Sequence, residues 1–227
     1  GVQTCALPIC TGLLSRFRIA TRHRYKSRRG TSPYMKKINE IFYSIQGEGG
    51  NAGTPAIFVR FSGCNLKCPF CDTAHENGKL MTDDEIAAEI AKYPAELVIL
   101  TGGEPSLFID NQLINKIHKL GKIIAIETNG TCKINGDIDY ITLSPKFEFT
   151  QNAELKIDHC NELKVIFNGK NDMSLYNNIN AEKRFLQPCD VGDDEENKKI
   201  TTQAVEYCLN HPEWRLSLQI HKIIGVR

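Results

Sequence analysis

The sequence predicts an α/β protein whose fold is an incomplete TIM-like barrel of about six parallel strands and about three helices. From Met35 onward, short runs rich in β-branched and aromatic residues alternate with segments of helical periodicity, which is typical of a parallel sheet with helices outside it. Polar residues and glycines follow several of the predicted strands, where parallel α/β folds bind ligands. The helices are too few for the eight units of a closed barrel.

The predicted strands share a short apolar run that ends in glycine, proline or polar residues. A final segment, 216–222 ("LSLQIHK"), has a weaker pattern and is also predicted to be a strand. The other predicted strands are residues 40–47, 56–63, 96–103, 122–130, 139–146, 162–167 and 184–188.

The first predicted helix spans residues 82–93 ("TDDEIAAEIAKY"). Thr82 and Glu85 have the spacing of a capping box, in which each side chain bonds the backbone N–H of the other residue. Ile86 and Ile90 lie four residues apart and therefore share one face of the helix. The segment is predicted to pack that face against the sheet.

Two more helices are predicted further along the chain. Residues 111–121 ("NQLINKIHKLG") end at Gly121, a residue type favoured just after a helix. The acidic run 193–197 precedes a last helix, in which Ile200 and Ala204 share a face. Acidic residues stabilise a helix at its N-terminus.

Residues 1–34 differ from the rest of the chain. They contain seven Arg or Lys and no acidic residue, and they lack sustained helical or strand periodicity. An organelle transit peptide, a basic binding arm and sequence translated from upstream of the true start all fit this composition. We favour the last interpretation, because "GVQTCALPIC" resembles translated sequencing-adapter text. We therefore expect residues 1–34 to be a non-native or disordered leader and residues 35–227 to form one catalytic domain.

Composition and charge exclude some classes of function. Outside the leader, 21 basic residues face 27 acidic ones, which does not predict a nucleic-acid binder. No apolar run is long enough to predict a membrane span. Nine cysteines without a secretory signal favour a reducing compartment, so we expect a cytoplasmic protein whose thiols serve metals or catalysis.

The segment "GCNLKCPFCDT" (63–73) places Cys64, Cys68 and Cys71 in the order C-x3-C-x2-C. Three thiolates can bind three irons of a [4Fe–4S] cluster and leave the fourth iron for another ligand. Phe70 is expected to shield such a cluster. A zinc module that adds a fourth ligand such as His75 is the alternative, and the triplet alone does not decide between them.

The segment "LTGGEP" (100–105) follows a predicted buried strand. Gly102 and Gly103 allow the backbone to approach a ligand closely, and Glu104 can accept hydrogen bonds from an ammonium group. An ordinary tight turn that ends at Pro105 has the same pattern. The segment alone is therefore a weak indication of a site.

Together, the cysteine triplet and the GGE segment about thirty residues downstream resemble the signature of the radical S-adenosylmethionine (SAM) superfamily. The resemblance implies a radical SAM core with a [4Fe–4S] cluster on the three cysteines. It also implies that SAM binds the free iron through its amino and carboxylate groups. The SAM-binding residues implied in this way are Phe70, Gly102, Gly103, Glu104, Glu127, Asn129, Ser144, Pro145, Lys146 and Gln187.

Within this superfamily, "SIQGEG", "GTPAIFVRFSGCNLKC", "CDT", "LTGGEP" and the terminal "LQIHK" resemble the 7-carboxy-7-deazaguanine synthase family of queuosine-precursor biosynthesis. The resemblance covers the chain from about Met35 to its end. It implies a carbon–nitrogen lyase that abstracts hydrogen from 6-carboxy-5,6,7,8-tetrahydropterin, contracts its ring and releases ammonia. It also implies a homodimer and an external one-electron donor such as flavodoxin.

The same resemblance implies a Mg²⁺ ion at Thr73, where a hydroxyl oxygen suits a hard cation. It further implies a set of substrate contacts. Arg60 near a strand end suits a carboxylate, and Gln46 can donate to and accept from a pterin edge. The implied substrate-binding residues are Ile45, Gln46, Gly47, Glu48, Arg60, Thr101 and His221.

Two other functions remain open at this stage. An activating enzyme for a glycyl-radical protein would share the cluster and the SAM site, but it would need a surface for its protein substrate and would lack the pterin contacts. A zinc-binding module without redox chemistry would be colourless, and it would leave the glycine-rich strand ends unexplained.

Overall fold

The computed structural model describes residues 35–71, 73 and 77–226, and the predicted leader 1–34 lies outside them. In this described part of the chain, nine strands form one sheet in the order β3-β1-β2-β4-β5-β6-β7-β8-β9. The strands are β1 (Lys36–Ile45), β2 (Pro55–Phe61), β3 (Lys79–Met81), β4 (Leu97–Gly102), β5 (Ile123–Thr128), β6 (Tyr140–Leu143), β7 (Cys160–Phe167), β8 (Ala181–Pro188) and β9 (Trp214–Leu216).

The sheet is mostly parallel and does not close. Strand β1 runs antiparallel to both β2 and β3, while β2 and β4 through β9 pair in parallel. The terminal strands β3 and β9 are not paired with each other. The prediction of an incomplete parallel barrel is confirmed, with seven parallel strands where about six were expected.

Among the described residues there are four α-helices, and three of them are those predicted. They are α1 (Asp83–Ile90), α2 (Asn111–Lys119) and α3 (Asp194–Asn210), and the short α4 (Ile220–Ile224) follows near the C-terminal end. Within the described part of the chain, none of these helices combines the length and apolar character that a membrane crossing needs.

Successive side chains along each strand point to opposite faces of the sheet. The outer face is covered by helices, and the inner face is not. On β5, Ile124 and Ile126 are fully buried in the core beneath α1 and α2. Ala125 belongs to a different apolar cluster, on the other face, and Glu127 shares its side of the strand. The inner face therefore carries polar side chains at the carboxyl ends of its strands.

The predicted capping box at Thr82 is present. The Glu85 backbone N–H donates to the Thr82 hydroxyl at 3.2 Å, and the Glu85 carboxylate accepts from the Thr82 N–H at 2.7 Å. We expect Thr82→Ala to lower the free energy of unfolding by about 1 kcal/mol, because it leaves a helix-terminal N–H without its acceptor. Urea denaturation measures the change. Thr202→Ala, which removes a hydroxyl inside α3 rather than a cap, should show no comparable loss.

The prediction of a final strand over 216–222 is wrong. Pairing with β8 ends where the Ser217 N–H donates to the Leu186 carbonyl at 2.9 Å. The Ile220 N–H then donates to the carbonyl of Gly47 at 3.0 Å, and α4 begins there. A short apolar run is ambiguous between helix and strand, and this distant backbone contact decides its conformation.

Candidate active site

Two adjoining cavities lie at the carboxyl ends of the parallel strands. The first, of about 280 Å³, is lined by the three predicted cluster cysteines and is called the cysteine cavity. The second, of about 230 Å³, is lined by Gln46–Glu48 and is called the GEG cavity. Five residues line both cavities and are called the shared wall: Glu48, Thr73, Thr101, Glu127 and Gln219.

The three cysteines of the loop line one cavity as free thiols. Cys64 and Cys68 are half-buried and Cys71 is exposed, and burial raises the pKa of both Cys64 and Cys68. No three described His, Cys, Asp or Glu side chains converge closely enough to hold one ion. Three thiols that line one cavity can serve a polynuclear cluster, which takes one thiolate per iron. His75, the fourth ligand of the zinc alternative, lies outside the described residues.

The turn formed by residues 102–104, called the GGE turn, is hydrogen-bonded to the segment that leads into the cysteine loop. The Gly103 N–H donates to the carbonyl of Phe61 at 3.0 Å, and the Glu104 N–H donates to the carbonyl of Gly63 at 2.9 Å. A Cβ on Gly103 would lie 2.0 Å from that Gly63 oxygen, closer than any side chain allows. Gly102 has a φ of +117°, which few residues other than glycine adopt. The two glycines therefore fix the position of the loop.

Glu104 lies beneath the cysteine cavity rather than in its lining. Its side chain is fully buried. One carboxylate oxygen accepts from Ser106 and from the Thr128 hydroxyl, and the other accepts from the Asn129 N–H at 2.7 Å. Glu104 thus orients Asn129, which does line the cavity. Its predicted contact with SAM stays a prediction.

Most of the residues predicted to bind SAM line the cysteine cavity. Lys146 is bonded to its own turn, because its ammonium group donates to the Ser144 carbonyl at 2.7 Å and to the Ser144 hydroxyl at 2.6 Å. Burial lowers the pKa of Lys146 to about 8. Pro145, like Glu104, is outside the lining. The lining members are Phe70, Gly102, Gly103, Glu127, Asn129, Ser144, Lys146 and Gln187.

All seven residues predicted to contact the substrate line the GEG cavity: Ile45, Gln46, Gly47, Glu48, Arg60, Thr101 and His221. The stacked rings of Phe42 and Phe58, with centroids 4.9 Å apart, add an aromatic surface that sequence reasoning missed. Arg60 is held by Glu40, whose carboxylate accepts from its Nε at 2.9 Å. The cavity thus combines flat apolar surface with a cation and several amide and carboxylate groups.

The glycines of the GEG segment are required by close contacts with distant parts of the chain. At Gly49 the φ is +63°, and a Cβ there would lie 1.9 Å from a carboxylate oxygen of Glu162. The Gly50 N–H donates to Glu162 at 2.8 Å, and the Gly49 N–H donates to the Ser217 hydroxyl at 2.9 Å. Gly47 packs directly against His221. The segment is therefore anchored by β7 and by the C-terminal part of the chain.

A buried lysine that sequence reasoning missed lies against the shared wall. Lys164 donates to Glu48 at 2.7 Å and to Glu127 at 2.8 Å. Gln219, also missed, donates to the other oxygen of Glu48 at 2.9 Å. The available signal was a lysine among the apolar residues of the predicted strand "ELKVIF", since a lysine is rarely buried without partners.

Burial and Lys164 have opposite effects on the pKa values of Glu48 and Glu127. Burial would raise the pKa of Glu48, but the ammonium group of Lys164 and the hydrogen bonds that Glu48 accepts lower it to about 2. Burial raises the pKa of Glu127, and Lys164 only partly offsets the effect. Burial would lower the pKa of Lys164, and the two carboxylates together raise it.

We expect Glu48 to contribute to stability above pH 4.5, its ordinary pKa. The contribution should be lost as pH falls from 4.5 towards 2, because the unfolded chain then takes up a proton that the folded chain does not. Acid titration followed by circular dichroism tests this. The free energy of unfolding of Glu48→Gln should depend less steeply on pH in this window than that of the original protein. Equal slopes would contradict the expectation.

Comparison with known proteins agrees with the geometry. A sequence model of the Radical SAM superfamily matches residues 58–142, which include the cysteine loop and the GGE turn. The chain is 55% identical to a 7-carboxy-7-deazaguanine synthase of Bacteroides thetaiotaomicron over 85% of its length and 100% of the relative. It is 39% identical to the synthase of Burkholderia multivorans, over 83% of this chain and 98% of that one.

A solved structure has a similar fold. The crystal structure of QueE from Escherichia coli matches with a TM-score of 0.66 and 27% identity, over 82% of this chain and 94% of that one. Fold and site together define a radical SAM enzyme, a class that uses a [4Fe–4S] cluster and SAM. Within that class, the chain belongs to the 7-carboxy-7-deazaguanine synthase family.

Proposed function

We propose that this protein converts 6-carboxy-5,6,7,8-tetrahydropterin into 7-carboxy-7-deazaguanine with loss of ammonia, as a radical SAM lyase. The single observation that carries the proposal is the pair of adjoining cavities. One is lined by the three cysteines, and the other contains every residue predicted to contact a pterin. The identity to 7-carboxy-7-deazaguanine synthases over most of the chain supports the same substrate.

The cysteine cavity is the proposed site of the cluster and of SAM. Cys64, Cys68 and Cys71, which all line this cavity, would hold the cluster. When bound, the cluster supplies the electron that cleaves SAM to methionine and a 5′-deoxyadenosyl radical. Asn129 and Lys146 offer hydrogen-bond donors to the carboxylate and ribose of SAM, and Glu127 offers an acceptor to ribose hydroxyls.

The GEG cavity is the proposed site of the pterin. The guanidinium group of Arg60 suits the substrate carboxylate, and Gln46 offers both a donor and an acceptor to the polar edge of the ring. The Phe42 and Phe58 rings offer an aromatic surface at the cavity. Because the two cavities share a wall, a pterin bound here is adjacent to the site where the radical forms.

Thr73 is the proposed protein ligand of Mg²⁺. It belongs to the shared wall, so the residue borders both the proposed SAM site and the proposed pterin site. A hard cation prefers oxygen ligands, and the substrate carboxylate and water would complete its coordination. In this position the ion would link the substrate to the protein and orient its carboxylate.

The remaining proposals rest on the family resemblance and on cysteine usage. We propose that residues 35–227 form one catalytic domain and that the protein acts as a cytoplasmic homodimer. An external one-electron donor of the flavodoxin kind would reduce the cluster.

Anaerobic reconstitution with iron and sulfide tests the function. The protein should turn brown, cleave SAM to 5′-deoxyadenosine in the presence of a reductant, and form 7-carboxy-7-deazaguanine when the pterin is added. Mass spectrometry identifies the product. A colourless protein with one zinc ion would overturn the radical chemistry. SAM cleavage without pterin turnover would favour an activating enzyme instead.

A further inference from the structure

Lys164 occupies an unusual position at the junction of the two cavities. Its side chain is only 5% exposed, and it lies in the middle of β7 with its ammonium group bonded to Glu48 and Glu127. Each carboxylate is also fixed from a second side. Gln219 donates to the other oxygen of Glu48 at 2.9 Å, and Gln46 donates to the other oxygen of Glu127 at 3.3 Å.

Stability alone does not explain a charge in this position. Removing two carboxylates and an ammonium group from water is costly, and apolar residues of similar volume often stabilise a core as well or better. Leu163 and Val165 lie on the opposite face of β7, where they are fully buried in the apolar core, so Lys164 is not part of that core. Glu48 and Glu127 line both cavities and Lys164 lines the cysteine cavity, which points to a role in ligand binding.

Ionised carboxylates accept hydrogen bonds and donate none. A carboxylate held by Lys164 on one oxygen and by an amide on the other keeps further lone pairs for a ligand. Glu48 and Glu127 are 18% and 20% exposed in their side chains, and both line both cavities. Glu48 and Glu127 are therefore suited to a ligand that donates hydrogen bonds, such as a ribose hydroxyl or a pterin ring N–H.

We propose that Lys164 is a positioning residue for both ligands, which holds Glu48 as an acceptor for the pterin and Glu127 as an acceptor for SAM. The pterin part of this inference rests on the proposed function, and the SAM part does not. Lys164 itself needs no contact with either ligand, because it acts through the two carboxylates.

The test measures binding without turnover. The reconstituted protein is kept anaerobic with its cluster oxidised and no reductant, so that neither SAM nor carboxytetrahydropterin is consumed. Equilibrium dialysis then gives the dissociation constant of each ligand separately. Lys164→Met alone leaves two buried carboxylates without a cation and is expected to destabilise the fold, so the comparison uses double variants in which only one carboxylate remains.

Each double variant is compared with its own single variant. Glu48→Gln/Lys164→Met should bind SAM about tenfold more weakly than Glu48→Gln, because Glu127 loses the ammonium group that orients it. Glu127→Gln/Lys164→Met should bind the pterin about tenfold more weakly than Glu127→Gln, for the corresponding reason at Glu48. Lys183→Met, on the neighbouring strand and outside both cavity linings, is the matched control and should change neither constant.

Two results would overturn the proposal. Unchanged dissociation constants in both double variants would show that the lysine does not position the carboxylates. Loss of iron content or of the thermal transition in the double variants, when the single variants keep both, would show that its role is structural. If the original protein binds SAM but not the pterin, the proposed substrate is wrong, and the SAM comparison still decides the role of Lys164.

Discussion

Replacing Cys68 with serine is expected to reduce SAM cleavage to the limit of detection. Cys68 lines the cysteine cavity together with Cys64 and Cys71, and each of the three is proposed to hold one iron. A serine hydroxyl is a much poorer ligand for iron in such a cluster than a soft thiolate. Iron and sulfide analysis after anaerobic reconstitution, together with chromatography of 5′-deoxyadenosine, measures the effect.

Cys208 provides the matched control for that experiment. It lies on α3, is partly exposed and is outside both cavity linings. Cys208→Ser removes a thiol without touching the loop, so iron content and SAM cleavage should equal those of the original protein. If Cys68→Ser kept the full iron content and activity, the assignment of the cluster to this loop would be wrong.

Gly103→Ala is expected to disrupt the site through the backbone. The added Cβ would lie 2.0 Å from the Gly63 carbonyl oxygen and 2.9 Å from the Cys64 nitrogen, and backbone atoms cannot rotate away as a side chain can. The chain entering the cysteine loop must therefore move, or the GGE turn must open. We expect the free energy of unfolding to fall by on the order of 3 kcal/mol and iron incorporation to fall with it. Chemical denaturation and iron analysis measure the two effects.

Gly121→Ala separates this clash from the general cost of replacing a glycine. Gly121 has a φ of +73° just after α2, and a Cβ there would have no atom within 4 Å. The substitution introduces only backbone strain, which costs about 1 kcal/mol and leaves the site untouched. Equal losses of stability in the two variants, with unchanged iron content in both, would contradict the role of Gly103 in fixing the loop.

The sequence is sufficient to predict most of this fold, because periodicity and end signals are strong here. The segment 96–103 is an apolar run that ends in two glycines, and the structure has β4 at Leu97–Gly102. The prediction failed in short segments, where the pattern of apolar and polar residues is weak. Strand β3 has only three residues, and the segment that begins at Leu216 takes its conformation from contacts with Gly47 and β8.

The candidate site was predictable for a different reason. Arg60, Thr101 and Glu127 lie on different strands, and the parallel arrangement brings the carboxyl ends of those strands to one edge of the sheet. Lys164 and Gln219 escaped prediction because no motif includes them. Their importance comes from tertiary partners in the GEG segment after β1 and on β5, which a single sequence does not reveal.

The shared wall also bears on the design of inhibitors. Because five residues border both cavities, one compound that joins an adenosyl group to a flat bicyclic ring by a short linker would occupy both proposed ligand sites at once. Its second half would then bind at a high effective concentration set by the linker, and the gain would exceed what either fragment achieves alone. Enzymes that bind SAM in an isolated pocket would accept only half of such a molecule.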